Sequence, residues 1–245
     1  MIRKTMRSSL AVLLLALASL SMAAAPDRFD GAIEHARLMG ALKLDGELFH
    51  VQGLELEGRR IWVTSVDDAN RKGYLHAFDR RTGKLLRQLE LTDGARYHPG
   101  GISISGRSIW VPVAEYKPKS SAILVEIDAD SLQIRRKVHV ADHLGFVAAS
   151  GHALVAGNWD SRLLYIFDLE KDAPARIVPN PSATRYQDMK FIDGQLVGGG
   201  TLALWSGAVD WLDWPSMQVR RTLRAGAVGP IRPIGRGGPY TGEGM

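Results

Sequence analysis

The chain has 245 residues, 31 basic against 26 acidic side chains, and no cysteine. The lack of cysteine excludes disulfides, a cysteine-ligated zinc site and a cysteine nucleophile. The formal charge of +5 falls to 28 bases against 26 acids once Arg3, Lys4 and Arg7 are set aside, and no basic run interleaves with aromatics, so no nucleic-acid partner is expected.

Arg3, Lys4 and Arg7 precede an apolar stretch, Leu10 to Met22, that is short for a bilayer span. Ser21-Met22-Ala23 and Ala23-Ala24-Ala25 are small-residue cleavage patterns. Residues 1–25 therefore read as a secretory signal peptide, with cleavage expected after Ala23 because Pro26 hinders the later site. The alternative is an uncleaved membrane anchor. The expected product is a periplasmic or secreted monomer with no stable membrane insertion, its fold held by core burial alone over 26–245.

Beyond the leader one plan recurs four times: a polar cluster with Gly, a strand, a turn, and three further strands. The clusters are His50-Val51-Gln52-Gly53-Leu54, His98-Pro99-Gly100-Gly101-Ile102, Asp142-His143-Leu144-Gly145-Phe146 and Tyr186-Gln187-Asp188-Met189, with a fifth start at Glu243-Gly244-Met245. Aligned on Gly53, Gly101, Gly145, Asp188 and Gly244, the steps are 48, 44, 43 and 56 residues. In the first unit Gly53–Leu56, Arg60–Thr64, Tyr74–Asp79 and Lys84–Leu91 alternate or carry β-branched runs, and the next three units repeat them with Trp62 matching Trp110 and Asp79 matching Asp128, Asp168 and Asp213. Four strands per period of about 40–50 residues predict an all-β fold, a β-propeller, rather than a β-sandwich. The conserved-register aspartates sit at strand-to-turn junctions and read as turn residues.

The alternating run Leu38-Met39-Gly40-Ala41-Leu42-Lys43-Leu44 is expected to be an N-terminal strand belonging to the last blade. The expected architecture is four complete four-stranded blades plus an incomplete fifth, C-terminally truncated, with 223–245 a poorly structured tail and the outer faces of blades one and four turned to water.

In a propeller the entries to the innermost strands and the loops between second and third strands share one face. That places His50, Gln52, His98, Asp142, His143, Tyr186, Gln187, Asp188 and Glu243 beside loop residues including Tyr116, Asn158, Trp159, Asp160 and Arg162. A channel mouth with this concentration of imidazoles, amides and carboxylates is the expected small-molecule site. Its acid–base candidates are His98, His143, Asp142 and Asp188, and Asn158, Asp188 and Glu243 are the candidate ligands for a divalent cation, calcium or zinc. The segment Asn158 to Arg162 also fits a self-capped loop. Whether the chain is a binding protein, a metal-assisted lactonase or hydrolase, a cyclase, or a protein-interaction scaffold is left open by fold alone.

"HVQGLELEGRRIWVTS", "YHPGGISISGRSIWVPVAEY", "DHLGFVAASGHALVAGNWDSR", "YQDMKF" and "YTGEGM" resemble a family of secreted bacterial propellers catalogued as a domain of unknown function. That resemblance implies five blades. The first blade, with Gln52-Gly53-Leu54, is also similar to the opening blade of the five-bladed glutaminyl cyclases (glutamine cyclotransferases), but Pro99-Gly100-Gly101-Ile102 stands where that family has Gly-Glu-Gly-Ile and lacks the carboxylate. Propeller lactonases and gluconolactonases also open blades with Glu-Gly-Met-like motifs around an axial divalent cation, and Glu243, Asn158 and Asp188 are the residues here that match such a role.

Export is testable directly. Tagged protein should be recovered from the periplasm or medium with its N-terminus at Ala24, and full-length chain confined to the cytosol would refute the leader assignment.

Overall fold

Runs such as Ile61-Trp62-Val63 and Ile109-Trp110-Val111 put β-branched and aromatic side chains on both faces of a strand, as a strand packed between neighbouring blades requires. A computed structural model describes residues 31–33, 40–171, 173–228, 238–239 and 241–244, with no helix among them. The leader expected over 1–25, Leu38, Met39 and Met245 lie outside these residues.

After β1 (Gly31–Ile33), blade one is β2 (His50–Glu57), β3 (Arg60–Asp67), β4 (Lys72–Asp79) and β5 (Leu85–Glu90). Blade two has its inner strand in two pieces, β6 (Arg96–Pro99) and β7 (Ser103–Ser105), both paired with β8 (Ser108–Glu115), followed by β9 (Ala122–Asp128) and β10 (Ile134–Val140). Blade three is β11 (Leu144–Ser150), β12 (Ala153–Asn158), β13 (Leu163–Asp168) and β14 (Arg176–Pro179), and blade four is β15 (Arg185–Ile192), β16 (Gln195–Ala203), β17 (Ser206–Asp213) and β18 (Val219–Ala225). Each blade is an antiparallel meander in chain order, so the protein is a propeller with four four-stranded blades.

Strand alternation divides each blade's side chains between two inter-blade cores. Trp62, Leu75 and Ala77 of blade one meet Ile109, Val111 and Ile123 of blade two. Trp110, Leu124 and Ala122 face blade three. Phe146, Val155 and Leu164 of blade three meet Met189, Leu196 and Leu212 of blade four. At the third-to-fourth turns Asp79 accepts from the Arg81 and Thr82 amides and the Thr82 hydroxyl, and Asp128 does the same with Asp130 and Ser131. These aspartates are turn residues, as their spacing predicts.

Three expectations need correction. The leading strand is Gly31–Ile33, laid parallel on β18 with Gly31 opposite Leu223, whereas residues 40–44 form no strand. The reason is that Leu44 and Leu48 are used on the outer face of blade one, where they pack against Ile61, Val63 and Phe78. Hence that face is not turned to water: Phe78 and Val63 are fully buried. Of the segment from 223, Leu223 to Ala225 belong to β18, and β19 (Ala227–Val228) pairs with β20 (Gly238–Pro239).

Across the axis the inner strands touch main chain to main chain. The Gly101 amide donates to the Gly145 carbonyl at 2.9 Å, and a Cβ added to Gly100 would lie 2.0 Å from that same oxygen, so no side chain fits there. Lys190 of blade four crosses below, donating to the Ile102 carbonyl of blade two and to Asp188 at 2.9 Å, with Glu55 of blade one at 3.5 Å. Removing one partner of a buried pair is expensive. Lys190→Met should therefore lower the unfolding free energy by about 3 kcal/mol in denaturant titrations, and an unchanged midpoint would show that the crossing contributes nothing.

Candidate functional site

All four inner strands carry a register shift at the same place, one or two residues into the pairing. The shifts fall between Val51 and Gly53, Arg96 and His98, Leu144 and Phe146, and Tyr186 and Asp188. A bulge inserts one residue and re-aims the side chains around it. The inserted residues are Gln52, Tyr97, Gly145 and Gln187, and three of them line a single cavity of about 250 Å³ at the channel mouth. Its wall is completed by His50, His98, Tyr116, His143, Trp159 and Glu243.

The rings form a continuous wall. Tyr116 stacks on His98 with centroids 4.3 Å apart, and Trp159 meets His143 edge-on at 4.5 Å. His98 and His143 are 5.7 Å apart, and Tyr116 and Trp159 6.1 Å. His98 and His143 are buried, whereas Tyr116 and Trp159 are 43% and 41% exposed. His143 Nδ1 donates to the Glu115 carbonyl at 2.8 Å, which fixes that tautomer and leaves Nε2 as an acceptor. Buried His98 Nδ1 has no hydrogen-bond partner among the described residues. Burial, followed by the neighbouring imidazoles of His143 and His50, pushes His98 down to about 3. Burial also lowers His143, against the pull of its carbonyl partner. Both rings are thus neutral near pH 7.

The candidate residues divide in two. The cavity gathers His50, Gln52, His98, His143, Trp159, Gln187 and Glu243, together with Tyr116. Asp142, Asn158, Asp160, Arg162, Tyr186 and Asp188 do not line it. Asp142 accepts from the His143 amide and from the Tyr165 hydroxyl, whose pKa burial and this bond raise to about 12. Consequently Asp142 does not pair with the His143 ring. Asn158 Oδ1 accepts the Leu163 amide, and Arg162 donates to the Asp160, Ser182 and Thr184 carbonyls, so this segment is the self-capped loop and also ties blade three to blade four. Asp188, fully buried, accepts from the Met189 amide and Lys190. Tyr186 donates to Asp210. Of the three candidate cation ligands, Asn158, Asp188 and Glu243, only Glu243 lines the cavity, and among the described residues no group of three or more His, Asp or Glu is disposed to hold a metal ion.

Sequence reasoning missed two polar centres. Lys190 and Glu55 belong to the axial network, although a lysine at the alternation position facing Asp188 was a readable signal. Asp210 is fully buried and accepts from Ser182, Thr184, Tyr186 and Thr222, all at 2.6–2.7 Å. Three of those donors alternate in Ser182-Ala183-Thr184-Arg185-Tyr186, the one visible trace of it. A larger cavity, about 590 Å³, lies at the opposite strand ends beside Phe167, Asp168 and Trp214 and gathers none of the predicted residues.

The sequence matches the profile of a family of unknown function over residues 21–196. The chain belongs to that family, DUF6454. No curated protein matches it. Among solved structures it is similar to the computationally designed Ika4 protein, at 16% identity and TM-score 0.47, covering 71% of this chain and 99% of that one. RRP9 WD40 repeats (12%, TM-score 0.49, 72% of this chain) and the Kuenenia stuttgartiensis hydrazine synthase (13%, TM-score 0.49, 79% of this chain) are also similar, and this DUF6454 chain spans 52% and 54% of their lengths.

The buried neutral imidazoles predict an acid response. In the unfolded chain His98 takes a proton near 6.5, whereas the folded ring stays neutral down to about 3. Between those values the unfolded state binds more protons, so stability falls as pH falls. His76, buried in blade one and lowered to about 4, acts in the same direction. Each should contribute on the order of 1 kcal/mol per pH unit. Melts of wild type and His98→Gln at pH 7 and 4.5 should show the smaller acid loss in the variant; equal losses would contradict the burial of a neutral ring.

Proposed function

We propose that this DUF6454 protein is an exported propeller that binds a small molecule at the mouth of its channel. The observation that carries this reading is the cavity of about 250 Å³, walled by seven of the predicted residues and Tyr116. Export rests on the Arg3–Ala25 pattern. A five-position ring is supported by Thr241 to Gly244: Thr241 donates to the Gly200 carbonyl of blade four at 2.6 Å, and a Cβ on Gly244 would lie 2.9 Å from Gly53 Cα of blade one. The segment thus touches both blade four and blade one.

The acid–base alternative has less support, because two of the carboxylates it calls on lie outside the cavity wall: Asp142 accepts from the His143 amide and the Tyr165 hydroxyl, and Asp188 from the Met189 amide and Lys190.

Gly145 provides the test. It lines the cavity, and a Cβ placed on it would meet only ordinary contacts, the nearest atom lying 3.8 Å away. Gly145→Leu should fill the mouth while leaving the melting temperature close to that of wild type. Ligand-observed NMR with a fragment mixture should yield hits on wild type that vanish on this variant. Hits that persist, or none on wild type, would refute the site.

A further inference from the structure

Resting on that reading, we infer that the cavity takes a sugar ring, a pyranose laid against Tyr116 and Trp159 with its hydroxyls on the amides of Gln52 and Gln187.

The aromatic wall is the first ground. Tyr116 and Trp159 are left 43% and 41% exposed, yet each is held from behind by a buried ring. Tyr116 stacks on His98 at 4.3 Å and 24°, and Trp159 meets His143 at 4.5 Å. The planes of Tyr116 and Trp159 differ by 33°, with centroids 6.1 Å apart. A ring slotted between two aromatics needs about 7 Å, twice a van der Waals contact. A ligand therefore lies against this pair rather than between its members. A pyranose has the matching surface: its axial C–H groups make an apolar face, and its hydroxyls stand around the edge. Dispersion and weak C–H contacts hold such a face on an aromatic ring.

The polar groups beside those rings are the second ground. A hydroxyl donates and accepts, and so does a primary amide. Gln52 and Gln187 each bring a carbonyl oxygen and an NH₂ group to the wall. His143, whose Nδ1 donates to the Glu115 carbonyl, keeps Nε2 as an acceptor. A simple ion uses one half of each amide, whereas neighbouring hydroxyls use both.

The repeat is the third ground. The loops between second and third strands of blades two, three and four each carry an exposed aromatic: Tyr116, Trp159 and Trp205. Trp205 is 41% exposed and stands outside the cavity wall. Exposed rings on three successive blades, all on the mouth face, suit a glycan whose end unit enters the cavity. A free sugar offers the same chemistry to the cavity alone.

Full-length mature protein would be examined by saturation-transfer NMR with the methyl β-glycosides of glucose, galactose and N-acetylglucosamine. Cyclohexylmethanol, a six-membered ring with one hydroxyl, and choline and butyrate serve as controls. At least one glycoside should bind, with transfer strongest at the C–H protons of one ring face. Trp159→Leu, Gln52→Leu and Gln187→Leu, on two other blades, should each weaken that glycoside about five-fold at an unchanged melting temperature. The trisaccharide of the same sugar separates the two sources. Tighter binding than the single ring, lost in Trp205→Leu, assigns a glycan, and equal binding assigns the free sugar. Failure of every glycoside, tighter binding of cyclohexylmethanol, choline or butyrate, or full binding by Trp159→Leu would overturn the inference. If fragments bind wild type and not Gly145→Leu while no glycoside binds, the small-molecule reading stands and this inference falls. If neither fragments nor glycosides bind, both fall.

Discussion

The ammonium of Lys190 holds the centre of the molecule. It starts on blade four, ends on the Ile102 carbonyl of blade two, and has Asp188 at 2.9 Å and Glu55 of blade one at 3.5 Å. Charge taken out of water is tolerated only where partners replace the lost hydration. Three blades are thereby held at distances that one side chain can span. Above this crossing the main-chain contacts at Gly53, Gly100 and Gly145 allow no lateral play, because the space a Cβ would need is already filled by neighbouring backbone at Gly53 and Gly100. The floor of the mouth is consequently rigid, and Asp188 is part of the floor rather than of the wall.

The wall itself follows from the bulges. On a regular strand Gln187 and Asp188 would point to opposite faces, as any neighbours do. The register shift between Tyr186 and Asp188 lets Gln187 reach the cavity while Asp188 turns to Lys190 and Tyr186 to Asp210. The same device at Gln52 and Gly145 places an amide and an open space at corresponding points of blades one and three. In blade two the inserted residue, Tyr97, instead bonds Asp68 and lies beneath the Arg71 guanidinium, and His98 takes the cavity position. One structural rule repeated four times therefore gives two amides, an imidazole and an open space at the mouth.

These details mark where sequence reading stops. The blades were legible because period-2 alternation and the matched Trp62 and Trp110 are local signals that burial enforces. The shared face of the clusters was legible for the same reason, and it delivered His50, His98, His143, Gln187 and Glu243 to one cavity. Which residue of each cluster points into the mouth was not legible, since a one-residue bulge exchanges the faces of its neighbours. Tyr186 and Asp188 went inward for that reason. The leading strand was misplaced for another: Leu38–Leu44 has the right alternation, but the apolar residues Leu44 and Leu48 found a lower-energy use over Phe78 than an edge strand would offer.

The distribution of charge bears on what the mouth can do. Asp142, Asp188 and Asp210 each satisfy hydroxyls, amides or Lys190 within the scaffold, which leaves the cavity, among the described residues, with three imidazoles (two of them buried), two amides, two aromatic rings and a single carboxylate. A general base works best when its pKa lies near the operating pH. His98, at about 3, is far too weak a base to take a proton from a hydroxyl at neutral pH, and at His143 burial outweighs the upward pull of the Glu115 carbonyl on Nδ1. The wall that results offers aromatic faces and hydrogen-bonding groups, the features that the binding reading draws on.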